Sequence, residues 1–294
     1  MKIVILVLIT SFLLITPTVS LAGVYSYGEG RTVIGYVQTY IVKDRESLIE
    51  VARKFGLGYN EIVDANPDLD PFIPGTGASV VIPSSWILPD VVPHEGIVIN
   101  LSEMRLFYFF RQRGSSLVVT FPIGIGSEGN GTPVGTFRVI EKIVKPGWYV
   151  PESILKERPQ LPRVLPPGPD NPLGSHAMRL SLRTVLIHGT NKPWGVGRRV
   201  SHGCIRLYPE DITKLFELVH NGSPVTIVRQ PIKIGMKGNR VFIEVNRDEE
   251  KYNINYFQEA ITLLMRKNLL NTISSEKLYR ALVEKRGIPF DISN

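Results

Sequence analysis

Apolar and polar positions change their spacing several times along this chain, and each change predicts an element. Ile3 to Ile15 is a continuous apolar run interrupted by Thr10 and Ser11. Tyr40-Ile41-Val42 is a short strand-like run. Leu48, Val51, Ala52 and Phe55 then recur at i, i+3, i+4 and i+7, one face of a helix. Ser47 and Glu50 bracket its first turn as a capping box, in which hydroxyl and carboxylate each meet a free N–H, and Gly56 stops it. A second short helix is expected over about Glu61 to Ala65, ended by Asn66-Pro67, because proline disfavours helix in the residue before it. Val80-Val81-Ile82-Pro83 returns as a strand, and the proline-rich Ser84 to Pro93 reads as a linker.

From Gly96 the spacing becomes that of strands: Ile97–Leu101, Arg105–Phe110, Leu117–Ile123 and Thr136–Glu141. Gly124 to Gly135 is a glycine-rich connection. It lacks the Gly-Lys-[Ser/Thr] ending of a phosphate loop and no helix pattern follows it. Val144 to Ser175 is rich in proline and opposes regular structure, the character of a lid or binding loop. Val185-Leu186-Ile187 is a further short strand. Pro209 suits a first helical position, Glu210 and Asp211 suit a helix start, and Ile212, Leu215, Phe216 and Val219 share one helical face. Pro224–Arg229 reads as a strand. Ile232–Gly235 and Arg240–Val245 read as a hairpin around Lys237-Gly238-Asn239. A helical tail starts at about Tyr256, with Ser274 or Ser275 capping its last helix. The expected fold class is α+β multidomain, with a small β-α-α-β module, a mainly β domain and a C-terminal helical extension.

The first apolar run has a compartment meaning. Lys2 precedes it, Pro17 ends it, and Ser20-Leu21-Ala22 supplies small residues for cleavage, so residues 1–22 are expected to be a signal peptide. The run is short of the roughly 20 residues a membrane span needs, and no stable span is expected after cleavage. The 294 residues include a single cysteine, so no internal disulfide is available. A net charge of +7 invites a polyanionic partner. Zinc-finger spacing, RNA-binding aromatic patterns and a P-loop are all lacking, which speaks against nucleic acid.

The lone cysteine, Cys204, lies in Ile187–Asp211, a glycine-rich stretch that also holds His188 and His202. A thiol beside an imidazole is the makeup of a cysteine nucleophile and its base. His188 follows a strand and can project across to Cys204, so it is assigned as the base. His202 is expected to brace the loop with Ser201. Gly203 allows close backbone approach, so the Cys204 amide and its neighbours can face an oxyanion, and Gly189 is expected to support the site. Arg206 can hold a substrate carboxylate with its planar fork, or pair with Glu210 or Asp211 as a structural bridge. A zinc site on His188, His202 and Cys204 is the less favoured alternative. No metal or other cofactor is expected. His94, His176 and His220 receive no role.

Two resemblances build on these residues. The segment Tyr40-Ile41-Val42, Asp44 through Phe55, Asn66-Pro67, Ile73-Pro74-Gly75 and Val80-Val81-Ile82-Pro83 resembles a LysM module, which implies binding of peptidoglycan or chitin glycan over residues 38–83. It departs from the LysM pattern at Asp44-Arg45, where a Gly-Asp pair is usual. His188-Gly189-Thr190 followed by Ser201-His202-Gly203-Cys204-Ile205-Arg206-Leu207 resembles the signature of the YkuD-type L,D-transpeptidases, in particular the ErfK/YbiS/YcfS/YnhG branch. Thr132-Pro133-Val134-Gly135-Thr136-Phe137 and Gly168-Pro169-Asp170-Asn171-Pro172-Leu173-Gly174 extend the match, which departs at Ser175-His176. The resemblance implies a catalytic domain over 95–229, followed by an extension over 230–294. It implies attack by Cys204 at the diaminopimelate–D-alanine bond of a tetrapeptide stem, with His188 moving the proton. The thioester would pass to a stem amine in a 3→3 cross-link or to a lipoprotein lysine, and the enzyme would be periplasmic and wall-associated. An L,D-carboxypeptidase and a non-catalytic peptidoglycan-binding protein are the alternatives.

Overall fold

The computed structural model describes residues 23–182, 184–248 and 254–294. The expected signal peptide lies outside them. A nine-stranded sheet runs through the described residues in the order Val24–Ser26, Ser115–Pro122, Arg105–Gln112, Gly96–Asn100, Pro224–Val228, Gly135–Val144, His176–Leu180, Leu186–His188 and Ile205–Arg206. Most neighbours are antiparallel. Gly96–Asn100 with Pro224–Val228, and Leu186–His188 with Ile205–Arg206, are parallel.

Strand residues alternate between faces, and in the central strands both sets are apolar. Ile97, Ile99, Leu106, Tyr108, Val119 and Phe121 face one core, which the helix Pro209–Leu218 closes with Ile212 and Leu215. Val98, Phe107, Phe109 and Val118 face the opposite way. Their cover is the small module: Gln38–Ile41, the helices Leu48–Lys54 and Tyr59–Ala65, and Ser79–Ile82 paired antiparallel with the first strand. Leu48, Val51, Leu57 and Ile62 share a single core with those sheet residues. The expected units 38–83 and 95–229 are therefore packed face to face.

The capping box on Ser47 and Glu50 is present, and Gly56 at φ +64° turns the chain out of the first helix. The second helix starts earlier than its apolar spacing suggests, at Tyr59. The Glu61 carboxylate accepts from the Gly58 amide at 2.7 Å and sets that start. Ser84 to Pro93 is not the expected linker. Ser85–Ile87 is a strand paired with Val33–Gly35, and Trp86, Ile87 and Leu88 are buried. Trp86 is drawn in because its Nε1 donates to Glu61 at 2.8 Å while its ring covers the Arg105 guanidinium at 4.1 Å. That guanidinium, fully buried, forms two bonds to Glu61, at 2.8 and 2.7 Å. The proline-rich stretch before residue 175 also contains regular structure, a pair of short strands, Trp148–Tyr149 and Val164–Leu165, with the helix Glu152–Glu157 between them.

The C-terminal part folds Ile232–Lys237, Arg240–Val245 and Phe290–Asp291 into a sheet under the helices Tyr256–Arg266 and Ser275–Glu284, with its own core. Ser274 caps the last helix. Lys233 ties this part to the rest. Its buried ammonium meets Glu103 at 2.7 Å, Glu244 at 2.9 Å and the Ile87 carbonyl at 2.6 Å. Two buried carboxylates oppose one ammonium there. Burial, with Glu244 adding to it and Lys233 opposing it, pushes the Glu103 carboxyl up to about 8. Glu103 thus keeps its proton in the native state well above the pKa it has when unfolded. Stability from that proton is complete below the unfolded value and is lost as pH rises through about 8. The melting temperature is expected to fall by several degrees from about pH 6 to about pH 9, and less steeply in Glu103→Gln. Equal slopes for the two proteins would rule this out.

Candidate active site

Ile187 pairs with Ile205 and His188 with Arg206 in a parallel ladder. Ile187 and Ile205 are fully buried and point into the core. The period of two then sends His188, Arg206 and the preceding Cys204 to the other face. Extending the register by one residue puts Cys204, just before the strand, one diagonal step from His188.

The turn before Cys204 is fixed from both sides. Gly203 has φ +96°, a region that glycine adopts without strain. The Ser201 hydroxyl donates to the Cys204 carbonyl at 2.6 Å. Thr132 donates to the Gly203 carbonyl at 3.1 Å and accepts from the Gly126 amide at 3.0 Å. The Gly203 and Cys204 amides have no acceptor among the described residues. Gly189 lies where a Cβ would come within 2.9 Å of Ile212, so a larger residue would push the helix Pro209–Leu218 away from the His188 strand.

His188 is buried, and its Nδ1 contacts the Gly189 carbonyl at 2.6 Å. A carbonyl only accepts, so Nδ1 carries the proton and Nε2 carries the lone pair. Burial pushes the imidazole down to about 3, with the Arg206 charge adding to it and the Gly189 and Leu173 carbonyls opposing. The ring is therefore neutral at physiological pH. Burial pushes the Cys204 thiol up, against the Leu186 amide and the charges of Arg206 and Arg179. The thiol donates to the Thr184 carbonyl at 3.8 Å. The free protein thus holds a neutral thiol and a neutral imidazole on adjoining strand ends. Alkylation of Cys204 by iodoacetamide is expected to rise with pH to a midpoint above that of free cysteine, about 8.5. A midpoint near neutrality would contradict this electrostatic picture.

Among the described residues Arg206 has no carboxylate partner, since Glu210 is bonded by Arg53 at 2.9 Å and Asp211 by Lys214 at 3.5 Å. It lines a cleft of about 420 Å³ whose far wall is the insertion, with Trp148 and Leu165, and whose near wall carries Trp194, Arg198 and His202. His202 is exposed and faces Glu157 of the insertion helix at 3.6 Å, so it does not converge with His188 and Cys204 as a zinc set would require. No group of three or more His, Cys, Asp or Glu among the described residues could hold a metal ion. His176 packs its ring 4.6 Å from Phe216. His94 stacks on Phe109 at 4.6 Å, and His220 is exposed. Thr132, Arg179 and Arg198 join the site without having been singled out from the sequence. The family-like run around Thr132 was the available signal for the first of them.

A family model described as the L,D-transpeptidase catalytic domain, YkuD, matches residues 94–227. Over 220 residues the chain is 40% identical to the Escherichia coli K12 protein named "Probable L,D-transpeptidase YcfS", covering 71% of this chain and 68% of that one. It is 34% identical over 298 residues to the Salmonella typhimurium LT2 protein named "Probable L,D-transpeptidase ErfK/SrfK", covering 96% and 95%. With the Escherichia coli K12 protein named "Probable L,D-transpeptidase YbiS" it shares 35% identity over 276 residues, covering 89% of each.

Proposed function

Since the chain belongs to the YkuD-type L,D-transpeptidases, which are acyltransferases, we propose that it remodels peptidoglycan through a thioester on Cys204. The Cys204 sulfur attacks the carbonyl joining diaminopimelate to the terminal D-alanine of a tetrapeptide stem, and its proton passes to Nε2 of His188. The carbonyl oxygen becomes an oxyanion that the Gly203 and Cys204 amides can receive. As the tetrahedral intermediate collapses, the C–N bond breaks, His188 returns the proton to the leaving amine, and D-alanine departs. An acceptor amine then attacks the thioester, gives its proton to His188 and releases the thiol. The observation that carries this reading is the parallel pairing that sets Cys204 and His188 on one face, with the imidazole neutral and its Nε2 unprotonated.

The strand–helix–helix–strand unit over 38–83 supports glycan binding of the LysM kind beside the site. The apolar run in residues 1–22 supports export to the periplasm. Among the described residues no helix is long and apolar enough to cross a membrane.

The test is incubation of the purified protein with disaccharide-tetrapeptide, followed by mass analysis. Cross-linked dimers with loss of one D-alanine are expected. Tripeptide monomers alone would mean that water takes the acyl group and that the protein is an L,D-carboxypeptidase. A lipoprotein lysine as acceptor would give dimers only slowly and would show as a stem adduct when a lysine-ended peptide is added.

A further inference from the structure

The cleft holds more unpaired recognition groups than one carboxylate requires. Arg158, Lys192, Arg198 and Arg206 supply positive charge, and Glu157 and Asp170 supply negative charge. Glu157 faces His202. Among the described residues Arg198 and Arg206 have no carboxylate partner, and the Nε of each is buried with nothing to donate to. The Asn191 side-chain oxygen, on the same wall, is buried with nothing to accept from among the described residues, while its amide donates to the Asp170 main-chain carbonyl at 2.9 Å.

The support under Arg198 comes from outside the catalytic strands. Its guanidinium lies 3.5 Å from the centre of the Tyr59 ring. Tyr59 opens the second helix of the small module, and its amide donates to Val196 at 3.2 Å while the Asn60 amide donates to Gly197 at 3.3 Å. A ring stabilises a guanidinium through its face and leaves the in-plane N–H groups free. Arg198 is thus fixed in position without its donors being used.

We propose that Arg198, seated on Tyr59, binds a second carboxylate of the peptide donor, remote from the scissile bond, so that the cleft selects a donor bearing a carboxylate and an ammonium at that remote centre. Arg206 serves the region next to Cys204, and Asn191 accepts from the ammonium. This rests on the acyl-transfer reading above, and the remote D-centre of diaminopimelate has the required pair of groups. Arg198 is a specificity-determining residue here, and Tyr59 is a positioning residue.

The experiment is titration calorimetry on the Cys204→Ala protein, which binds without turnover. The disaccharide-tetrapeptide is expected to bind about tenfold more weakly when Arg198→Met is added. A donor amidated at the D-centre carboxylate should bind both proteins alike, at the weaker level. Tyr59→Leu should lose several-fold in affinity and Tyr59→Phe should lose none. Unchanged affinity in Arg198→Met, or an equal penalty on free-acid and amidated donors, overturns the proposal. So does failure of the free-acid donor to bind the Cys204→Ala protein. Binding that follows the expected pattern, in a protein whose Cys204-intact form releases no D-alanine, overturns the acyl-transfer reading and upholds the carboxylate site.

Discussion

Replacing Cys204 with alanine is expected to lower product formation from disaccharide-tetrapeptide by roughly 10⁴-fold or more, since removal of a nucleophile takes away the covalent route altogether. No other described side chain on that face can form the thioester. His188 is a neutral imidazole, and Arg206 is a cation with only donors to offer. The residual rate reports what oriented binding alone supplies. Cys204 is half-buried beside a turn held by Ser201 and Thr132, so the variant should melt close to the unaltered protein. Intact mass after exposure to a carbapenem gives a second reading, with an adduct on the unaltered chain and none on Cys204→Ala. Product at the original rate from the alanine variant would refute the mechanism.

Replacing Glu61 with alanine should destabilise the fold by about 3–5 kcal/mol, the usual cost of leaving one member of a buried ion pair without its partner. For a chain of this size that is a drop of about 10 °C in melting temperature. Arg105 is fully buried, and besides Glu61 it has the Gly56 carbonyl at 2.9 Å and the Thr120 hydroxyl at 3.2 Å, neither of which cancels its charge. Glu61 also receives the Trp86 and Gly58 N–H groups, so three segments lose an acceptor together. Glu61→Leu with Arg105→Met should recover most of the loss, because a well-packed apolar pair of similar volume avoids burying either charge. A single-variant loss under about 1 kcal/mol would place this pair with surface ion pairs. Activity should fall with stability, since Tyr59 and Asn60, just before Glu61, hold the loop that leads to Ser201 and Cys204.

Local chemistry was legible in the sequence. The Ser47–Glu50 capping box, the Gly56 stop and the Pro209 helix start depend on residues a few positions apart, and each appears where the spacing puts it. Cys204 and His188 stand out in the sequence as candidates because so few thiols and imidazoles exist in the chain, and the register puts their strands side by side. Long-range pairing was not legible. Ser85–Ile87 is a strand because Val33–Gly35 lies beside it and Glu61 draws in Trp86, and neither partner is visible from its own prolines. Val24–Ser26 is too short to read alone and exists as an edge of Ser115–Pro122. Arg105 looks like an ordinary strand residue until the module's carboxylate is placed against it. The same limit hid Arg198, whose distinguishing partner is an aromatic ring far back in the chain.

The two-sided sheet has a further consequence. A binding module on a slack tether acts as a concentrator, holding its enzyme near a polymer and letting it sample every bond within reach. Here Val98, Phe107, Phe109 and Val118 are fused into the module's own core, and slack is absent between them. The shared core holds the module at a set distance and bearing from the strand before which Cys204 lies. If the proposed glycan binding and acyl transfer hold, the protein would work as a gauge as well as a catalyst, reading the spacing between a glycan strand and the stem that hangs from it.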